Sequence, residues 1–172
     1  MKYSFETLKK LVDLNPWFLT LTEMYYPTPT EEAIAKAEEM LGLKFPADYR
    51  KFLATWGYLG IPDGGAEVCG IIRNDPAIAE YPNVVFFTQD AREASELPPY
   101  YIAIFDADGD ETLCIDSRTA DGAVVSWDNF EHEVAEEISD SFVDYLIDDT
   151  VEHADIIEED GYKIVWPDEI EI

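Results

Sequence analysis

The stretch over residues 28–57 constrains the fold most, because it predicts two consecutive helices whose ends are marked in the sequence. Thr28 can cap the first helix through its hydroxyl, and Thr30 is an alternative cap two residues later. Gly42 predicts the end of this helix, since glycine readily adopts positive φ. One apolar stripe runs along the helix and consists of Ile34, Ala37 and Leu41.

The second helix of this stretch begins after Phe45-Pro46, where the proline holds the preceding residue extended. Gly57 predicts its end. Its apolar face is wide and mostly aromatic, and comprises Tyr49, Phe52, Leu53 and Trp56. The two helices can therefore pack on each other and on a sheet.

Short apolar runs bounded by turn residues predict antiparallel strands. Three of these runs follow one another closely, at 101–105, 112–116 and 123–127. The segments between them contain Asp and Gly, which favour tight turns, so the three strands are predicted to form a meander. Further predicted elements are a loop over 61–65, strands over 67–72 and 84–87, and an edge strand over 162–166.

Helical spacing of apolar residues predicts a helix over 3–14, and the polar segment 89–96 can also be helical. The same spacing predicts a helix over 133–150, whose opposite face is almost entirely acidic. The apolar face of this helix comprises Val134, Ile138, Phe142, Tyr145 and Leu146.

These elements together predict one α+β domain, in which helices pack on an antiparallel meander. Residues 1–27 are expected to form an N-terminal helix and a connector, and residues 28–150 the main domain. Residues 151–172 are expected to form an acidic extension that packs on the same domain.

The charge of the chain is strongly negative. Its 172 residues include 38 acidic and 11 basic side chains, which gives a net charge of −27. Phosphates would be repelled over most of such a surface, so a nucleic-acid backbone is excluded as the natural ligand. Residues 128–172 carry 17 of the acidic side chains, with Lys163 as their single base. Two interpretations stay open: solubility or salt adaptation, and a basic protein partner.

Cys69 and Cys114 lie far apart within apolar runs, which predicts buried thiols of a reducing compartment instead of a disulfide. The sequence has no basic-then-apolar leader and no apolar run that approaches about 18 residues. We therefore expect a cytoplasmic protein that does not bind a membrane.

No motif in the sequence predicts catalysis, a cofactor or a metal. The acidic run 106–111 invites comparison with a calcium loop, but Glu111 and Ser117 stand where an EF-hand needs glycine and a bidentate acid. His132 and His153 lack the spacing of a zinc site and are expected at the surface. A glycosidase-like carboxylate pair remains an alternative, although so acidic a chain forms such pairs by chance.

Three residues have both a structural and a functional interpretation. Glu38 can hydrogen-bond to a neighbouring element or face a partner, and we favour the first. Asp116 is interpreted as a strand-end acid that holds a turn, and Trp127 as a large aromatic of the core or its rim.

The ordered set of motifs resembles the SUKH superfamily, the Smi/Knr-type domain. The resemblance covers roughly residues 28–147, and its opening motif includes Leu41-Gly42, Phe45-Pro46 and Gly57. The later motifs follow in the family's order: Gly70, Leu97-Pro98, Gly109-Asp110, Leu113-Cys114-Ile115-Asp116, Val125 with Trp127, and Ser141-Phe142 with Tyr145-Leu146.

This resemblance implies a non-catalytic α+β domain. Bacterial members of the family are mostly immunity proteins that neutralise a cognate polymorphic or contact-dependent toxin, often a nuclease. Fungal members are regulatory interaction proteins. We therefore expect stoichiometric binding of a basic toxin, with a regulatory module of the same fold as the alternative and an acid-dependent hydrolase as a third hypothesis. The oligomeric state stays open.

Acidic side chains are the candidate contacts for a basic partner. One candidate group has four acids in the first predicted hairpin and three just beyond the last predicted meander strand: Asp106, Asp108, Asp110, Glu111, Asp128, Glu131 and Glu133. A second group lies on the late helix and comprises Asp144, Asp148, Asp149 and Glu152.

Overall fold

The computed structural model describes residues 1–60 and 67–172, so the predicted loop over 61–65 lies outside the described residues. The described helices are α1 (Phe5–Leu14), α2 (Leu19–Thr22), α3 (Glu31–Leu41), α4 (Ala47–Thr55), α5 (Val84–Ala94), α6 (Phe142–Glu152) and α7 (Ala154–Glu159). Short 3₁₀ turns occur at Pro16–Phe18, Glu23–Tyr25 and Ile72–Asn74. No helix in the described ranges is long and apolar enough to cross a membrane.

The strands form two antiparallel sheets, which confirms the predicted α+β class. A small ribbon pairs β1 (Leu59–Gly60) with β2 (Glu67–Val68). The larger sheet has the order β3-β4-β5-β6, with each strand antiparallel to the next. Its strands are β3 (Tyr101–Ala107), β4 (Glu111–Asp116), β5 (Val124–Asp128) and β6 (Glu133–Ser139). The three predicted meander strands are confirmed, and β6 extends the meander by a fourth.

The predicted pair of helices is confirmed as α3 and α4. Thr30, the alternative cap, begins α3, because its hydroxyl accepts a hydrogen bond from the amide of Ala33 at 3.3 Å. Thr28 therefore does not cap the helix. Gly42 ends α3 with a φ of 68°, and the Leu43 amide then donates to the Glu38 carbonyl at 3.2 Å.

Three aromatic rings at the centre of the core join α4 to α6. The ring centroid of Phe142 lies 5.3 Å from that of Tyr49 and 5.4 Å from that of Phe52, in edge-to-face contacts. All three rings are fully buried. Each such contact contributes about 0.5–1.5 kcal/mol beyond the burial of apolar area. The same core includes sheet residues Ile102, Ile104, Ile115 and Val124, and residues of the terminal segments such as Leu11, Ile164 and Ile170.

The prediction of a strand over 84–87 is wrong, because these residues form the first turn of α5. The side-chain oxygen of Asn83 caps the helix and accepts a hydrogen bond from the Val85 amide at 3.2 Å. A run of four apolar residues suits a strand or a buried helix equally well, and here the cap decides. The buried residues recur at helical spacing: Val84, Val85, Thr88 and Ala91. The polar segment after them continues α5 as far as Ala94.

The prediction of one helix over 133–150 is wrong in its first half. Those residues form β6, and α6 begins only after Ser141, whose hydroxyl accepts a hydrogen bond from the Asp144 amide at 3.2 Å. Val134 and Ile138, expected on the apolar helix face, lie on β6 and are 38% and 39% exposed. A separation of four residues is compatible with the period of a strand as well as a helix.

The prediction of an edge strand over 162–166 is also wrong. The side chain of Asn15 occupies the place of a strand partner: its Nδ2 donates to the Val165 carbonyl at 2.9 Å, and its Oδ1 accepts from the Val165 amide at 2.7 Å. The strand predicted over 67–72 is shorter than expected, because β2 ends at Val68 and Ile72 begins a 3₁₀ turn.

Glu38 is a structural acid, as the favoured interpretation predicts. Its carboxylate is 2% exposed and accepts hydrogen bonds from the Phe45 amide at 2.9 Å and from Lys44 Nζ at 3.0 Å. Arg50 Nη1 lies 2.9 Å from the same carboxylate. Burial by itself would raise the pKa of Glu38, but these three donors outweigh it and hold the pKa below its usual range.

The other framework interpretations are confirmed as well. Asp116 accepts hydrogen bonds from the Arg118 amide at 2.9 Å and from its guanidinium at 2.7 Å. The indole of Trp127 is buried and donates to the Ser95 carbonyl at 3.0 Å. Cys69 and Cys114 are unpaired and buried, and burial raises the pKa of both thiols.

We expect the substitution Glu38→Gln to lower the free energy of unfolding by about 2–3 kcal/mol near neutral pH, because a charged acceptor of three donors is lost. Since the folded pKa of Glu38 is depressed, its stabilisation is complete above the unfolded pKa and disappears as the pH falls through the folded value. Urea unfolding of both proteins at neutral and acidic pH measures this. Glu39→Gln, on the exposed side of α3, is the matched control, and equal losses in the two variants would contradict the prediction.

Candidate functional site

Two hairpin turns lie at the same end of the large sheet. In an antiparallel meander the β3–β4 turn and the β5–β6 turn fall on one side, and the β4–β5 turn on the other. We call residues 106–111 and 128–133 together the hairpin end. The structure thus brings together all seven acids of the first candidate group, although they are separated by up to 27 positions in the chain.

Asn129 joins the two turns of the hairpin end. Its backbone amide donates to the Asp110 carbonyl at 3.0 Å, and its side-chain Nδ2 donates to the Gly109 carbonyl at 3.1 Å. Its Oδ1 accepts a hydrogen bond from the Thr112 hydroxyl at 3.0 Å. One side chain therefore holds the two acidic turns in a defined relation to each other.

Three of the acids also hold the hairpin end in shape. Asp106 Oδ1 accepts from the Gly109 amide at 2.8 Å, and Glu111 accepts from the Ser126 hydroxyl. Asp128 Oδ1 accepts from two amides at 2.8 Å, those of residues 130 and 131. The amide of residue 131 and, to a smaller extent, that of residue 130 hold the pKa of Asp128 below its usual range, because both hydrogen bonds favour the charged carboxylate. The other four acids of the group point into solvent: Asp108, Asp110, Glu131 and Glu133.

Phe130 stands among these acids with 72% of its surface exposed. It forms part of the wall of a cleft of about 310 Å³ between α5 and the hairpin end, which Phe87, Asp90 and Thr112 also line. We call this the hairpin cleft. Sequence reasoning missed Phe130 and Asn129, and the available signal was an aromatic residue inside a polar turn, next to an Asp-Asn pair that favours turns.

The second candidate group, on α6, has a different character. Asp144 is 7% exposed and accepts hydrogen bonds from the amides of Lys2 and Tyr3, both at 2.7 Å, so it attaches the N-terminal segment instead of forming part of the surface. Asp148 pairs with Lys2 Nζ at 3.2 Å, and Asp149 lies 3.5 Å from the His153 ring. Glu152 is exposed.

The two groups are also placed differently on the sheet. The amide of Phe142, at the start of α6, donates to the Asp121 carbonyl in the β4–β5 turn at 3.0 Å. The group on α6 therefore begins at the end of the sheet opposite the hairpin end.

Among the described residues, the seven carboxylates of the hairpin end lack the ammonium partners that Asp144 and Asp148 have on α6. Across residues 1–60 and 67–172, no lysine or arginine nitrogen forms an ion pair with any of them. His132, within the hairpin end, lies 3.4 Å from Glu96, which belongs to neither group. Because like charges accumulate there without compensation, the hairpin end attracts cationic groups.

The hairpin cleft has little of what acid–base catalysis requires. Asp90 and Asp106 both line it, but both are exposed, whereas a general acid of the glycosidase type needs a carboxyl group shielded from water. Within the described part of the chain, no group of three or more His, Cys, Asp or Glu side chains has the geometry to hold a metal ion.

Comparison with known protein families shows which family the chain resembles. A family model described as SUKH_5, SMI1-KNR4 cell-wall, matches residues 3–152. The matched region begins before α1 and reaches the end of α6, so it includes the hairpin end and every strand of the large sheet. No curated protein matches the chain.

We expect Asn129→Ala to loosen the hairpin end, since the side chain's two hydrogen bonds between the turns are lost at a cost of about 1–2 kcal/mol. Amide hydrogen exchange should accelerate at Gly109 and in residues 129–131. Thr119→Ala is the matched control, because it removes comparable hydrogen bonds from the β4–β5 turn at the opposite end. Equal acceleration at the hairpin end in both variants would contradict the role of Asn129.

Proposed function

The chain belongs to the SUKH superfamily of SMI1-KNR4 proteins, and we propose that it is an immunity protein that binds and neutralises a cognate basic toxin domain. The family consists mainly of non-catalytic immunity and regulatory proteins. We propose that this protein likewise acts by stoichiometric binding in the cytoplasm and has no enzymatic activity of its own.

One observation carries this proposal: the carboxylates of the hairpin end, which have no Lys or Arg partner among the described residues, lie on the same pair of turns as the exposed ring of Phe130. Exposed acids increase the rate at which a basic partner associates and select against acidic partners. An exposed aromatic ring supplies the apolar area that carries much of the binding free energy in protein interfaces. The hairpin end thus combines carboxylates, which attract a basic partner, with an aromatic ring, which stabilises the complex once it has formed.

The rigidity of the turns supports the same proposal. Asn129 joins the two turns, and Asp128 accepts from the amides on either side of the Phe130 carbonyl, so the ring is presented from a backbone that is already ordered. A surface ordered before binding loses less conformational entropy in the complex. For a toxin that is a nuclease, these carboxylates would bind the cationic surface that otherwise binds nucleic acid.

Co-expression tests the proposal directly. The product of the gene immediately upstream is the candidate toxin, and we expect this protein to rescue growth and to co-purify with that product as a tight complex. A complex without rescue, or the absence of both, would contradict an immunity function. The regulatory-module alternative then predicts capture of an endogenous partner whose binding still depends on the hairpin end.

Charge reversal tests whether the acids of the hairpin end attract the toxin. We expect the double variant Asp108→Lys, Glu131→Lys to slow association with the toxin by at least about tenfold at low salt and to flatten the dependence of the rate on salt. The matched control is Glu158→Lys, Glu159→Lys on α7, which changes the net charge equally at exposed positions. Stopped-flow or surface-based kinetics at several ionic strengths measure both. Identical rates for the two double variants would refute the assignment of the hairpin end.

Truncation of the exposed ring tests the anchor. We expect Phe130→Ala to accelerate dissociation of the complex by at least about tenfold, as for other aromatic hot spots, with little change in the association rate. Its urea midpoint should stay near that of the unmodified protein, because the side chain is 72% exposed. Met24→Ala, at another large apolar side chain that is 65% exposed, is the control. Unchanged dissociation of the Phe130 variant would exclude the ring from the interface.

A further inference from the structure

The two edge strands of the large sheet, β3 and β6, differ in whether neighbouring elements bond to their outer side. On β3, the Ala103 amide donates to the Thr88 hydroxyl at 3.0 Å, and the Ile104 carbonyl accepts from the Cys69 amide at 2.8 Å, so neighbouring elements cover that edge. On β6, the side that faces away from β5 has no backbone partner in residues 1–60 or 67–172. Six of the seven β6 residues are exposed. Such an edge offers free N–H and C=O groups to an added strand.

The charges on β6 restrict which strand can be added. Glu133, Glu136 and Glu137 lie along the strand, and extra residues at Ala135 and Ile138 interrupt its register with β5. Antiparallel pairing of β6 with a second copy of itself would place these glutamates close to one another, which is unfavourable. A strand that carries Lys or Arg would instead form favourable cross-strand pairs.

A second cleft lies beside β6, with a volume of about 270 Å³, and we call it the edge cleft. Val125 and Val134 provide apolar wall, and Glu137 and Asp140 provide carboxylates. The lining also includes Asp116 and Arg118, which pair with each other at 2.7 Å, so that Glu137 and Asp140 give the cleft its net negative charge. An aliphatic stem with a cationic head matches this combination of walls, as lysine and arginine side chains do.

We propose that β6 binds an extended, Lys- or Arg-containing segment of a protein partner as an added strand, and that the edge cleft receives one of its basic side chains. The strand of seven residues is about 23 Å long and connects the hairpin end with the edge cleft. This inference goes beyond the proposed function, since it does not require the partner to be a toxin. It assigns recognition of the partner's backbone to a part of the surface that is separate from Phe130.

A peptide titration tests the inference on the full chain without any toxin. The probe is a short peptide of alternating valine and lysine, blocked at both ends, and two matched peptides have glutamate for lysine or a central proline. We expect only the first to shift the β6 amide signals in NMR spectra and to slow their hydrogen exchange. Equal binding of the proline peptide would show general charge attraction and overturn the added strand, as would binding of no peptide.

Variants of the protein test the edge cleft. We expect Glu137→Lys to weaken binding of the lysine peptide by at least about tenfold, whereas the matched change Glu158→Lys on α7 weakens it by less than about threefold. Glu137→Gln should have an intermediate effect and provides a second, milder variant at the same exposed position. Equal effects of the two lysine substitutions would overturn the proposal that the edge cleft receives a basic side chain. A concentration-dependent dimer that buries β6, detected by sedimentation and amide exchange, would overturn the choice of a basic partner over a second copy.

Discussion

The packing of Phe142 against Tyr49 and Phe52 determines how the second half of the chain is arranged. This packing places the start of α6 at the end of the sheet where the β4–β5 turn lies. Strand β5, however, ends at the opposite end of the sheet. Residues 133–139 must cross the length of the sheet, and as a strand they span about 23 Å. As a helix they would span only about 10 Å, which is too short. The position of one aromatic ring therefore requires β6.

This requirement explains which elements the sequence could predict. Strong end signals predicted α3 and α4, since Gly42 and the aromatic spacing of α4 leave one interpretation each. The errors at residues 84–87 and 133–139 share a cause: short apolar patterns fit both periods, and the choice depends on a cap, Asn83 or Ser141, and on where the chain must arrive. Caps are visible in a sequence, but the distance that a segment must cross is a property of the tertiary fold.

The candidate site, like the fold, was predictable from the sequence only in part. Turn chemistry was sufficient to place four of the acids in the β3–β4 hairpin. The β5–β6 hairpin was not predictable in the same way, because the sequence pattern predicts a helix over 133–150, so only the structure shows that all seven acids lie at one end of the sheet. The connection through Asn129 could not be predicted, because a side-chain amide bridges whichever backbone groups the fold places beside it. Burial likewise separates Asp144, which attaches the N-terminal segment, from acids of the same helix that face solvent. Composition alone treats all of these carboxylates as equal.

The two hydrogen bonds between Asn15 and Val165 affect whether this segment can form β-structure with another molecule. An extended apolar stretch with free peptide groups is a template for intermolecular β-structure, and residues 162–166 have that composition. The Asn15 amide saturates the N–H and C=O of Val165 from within the same molecule, without adding a strand whose far edge would itself be open. The peptide groups of Val165 are thus not available to pair with another chain, even though nearly half of this residue faces solvent.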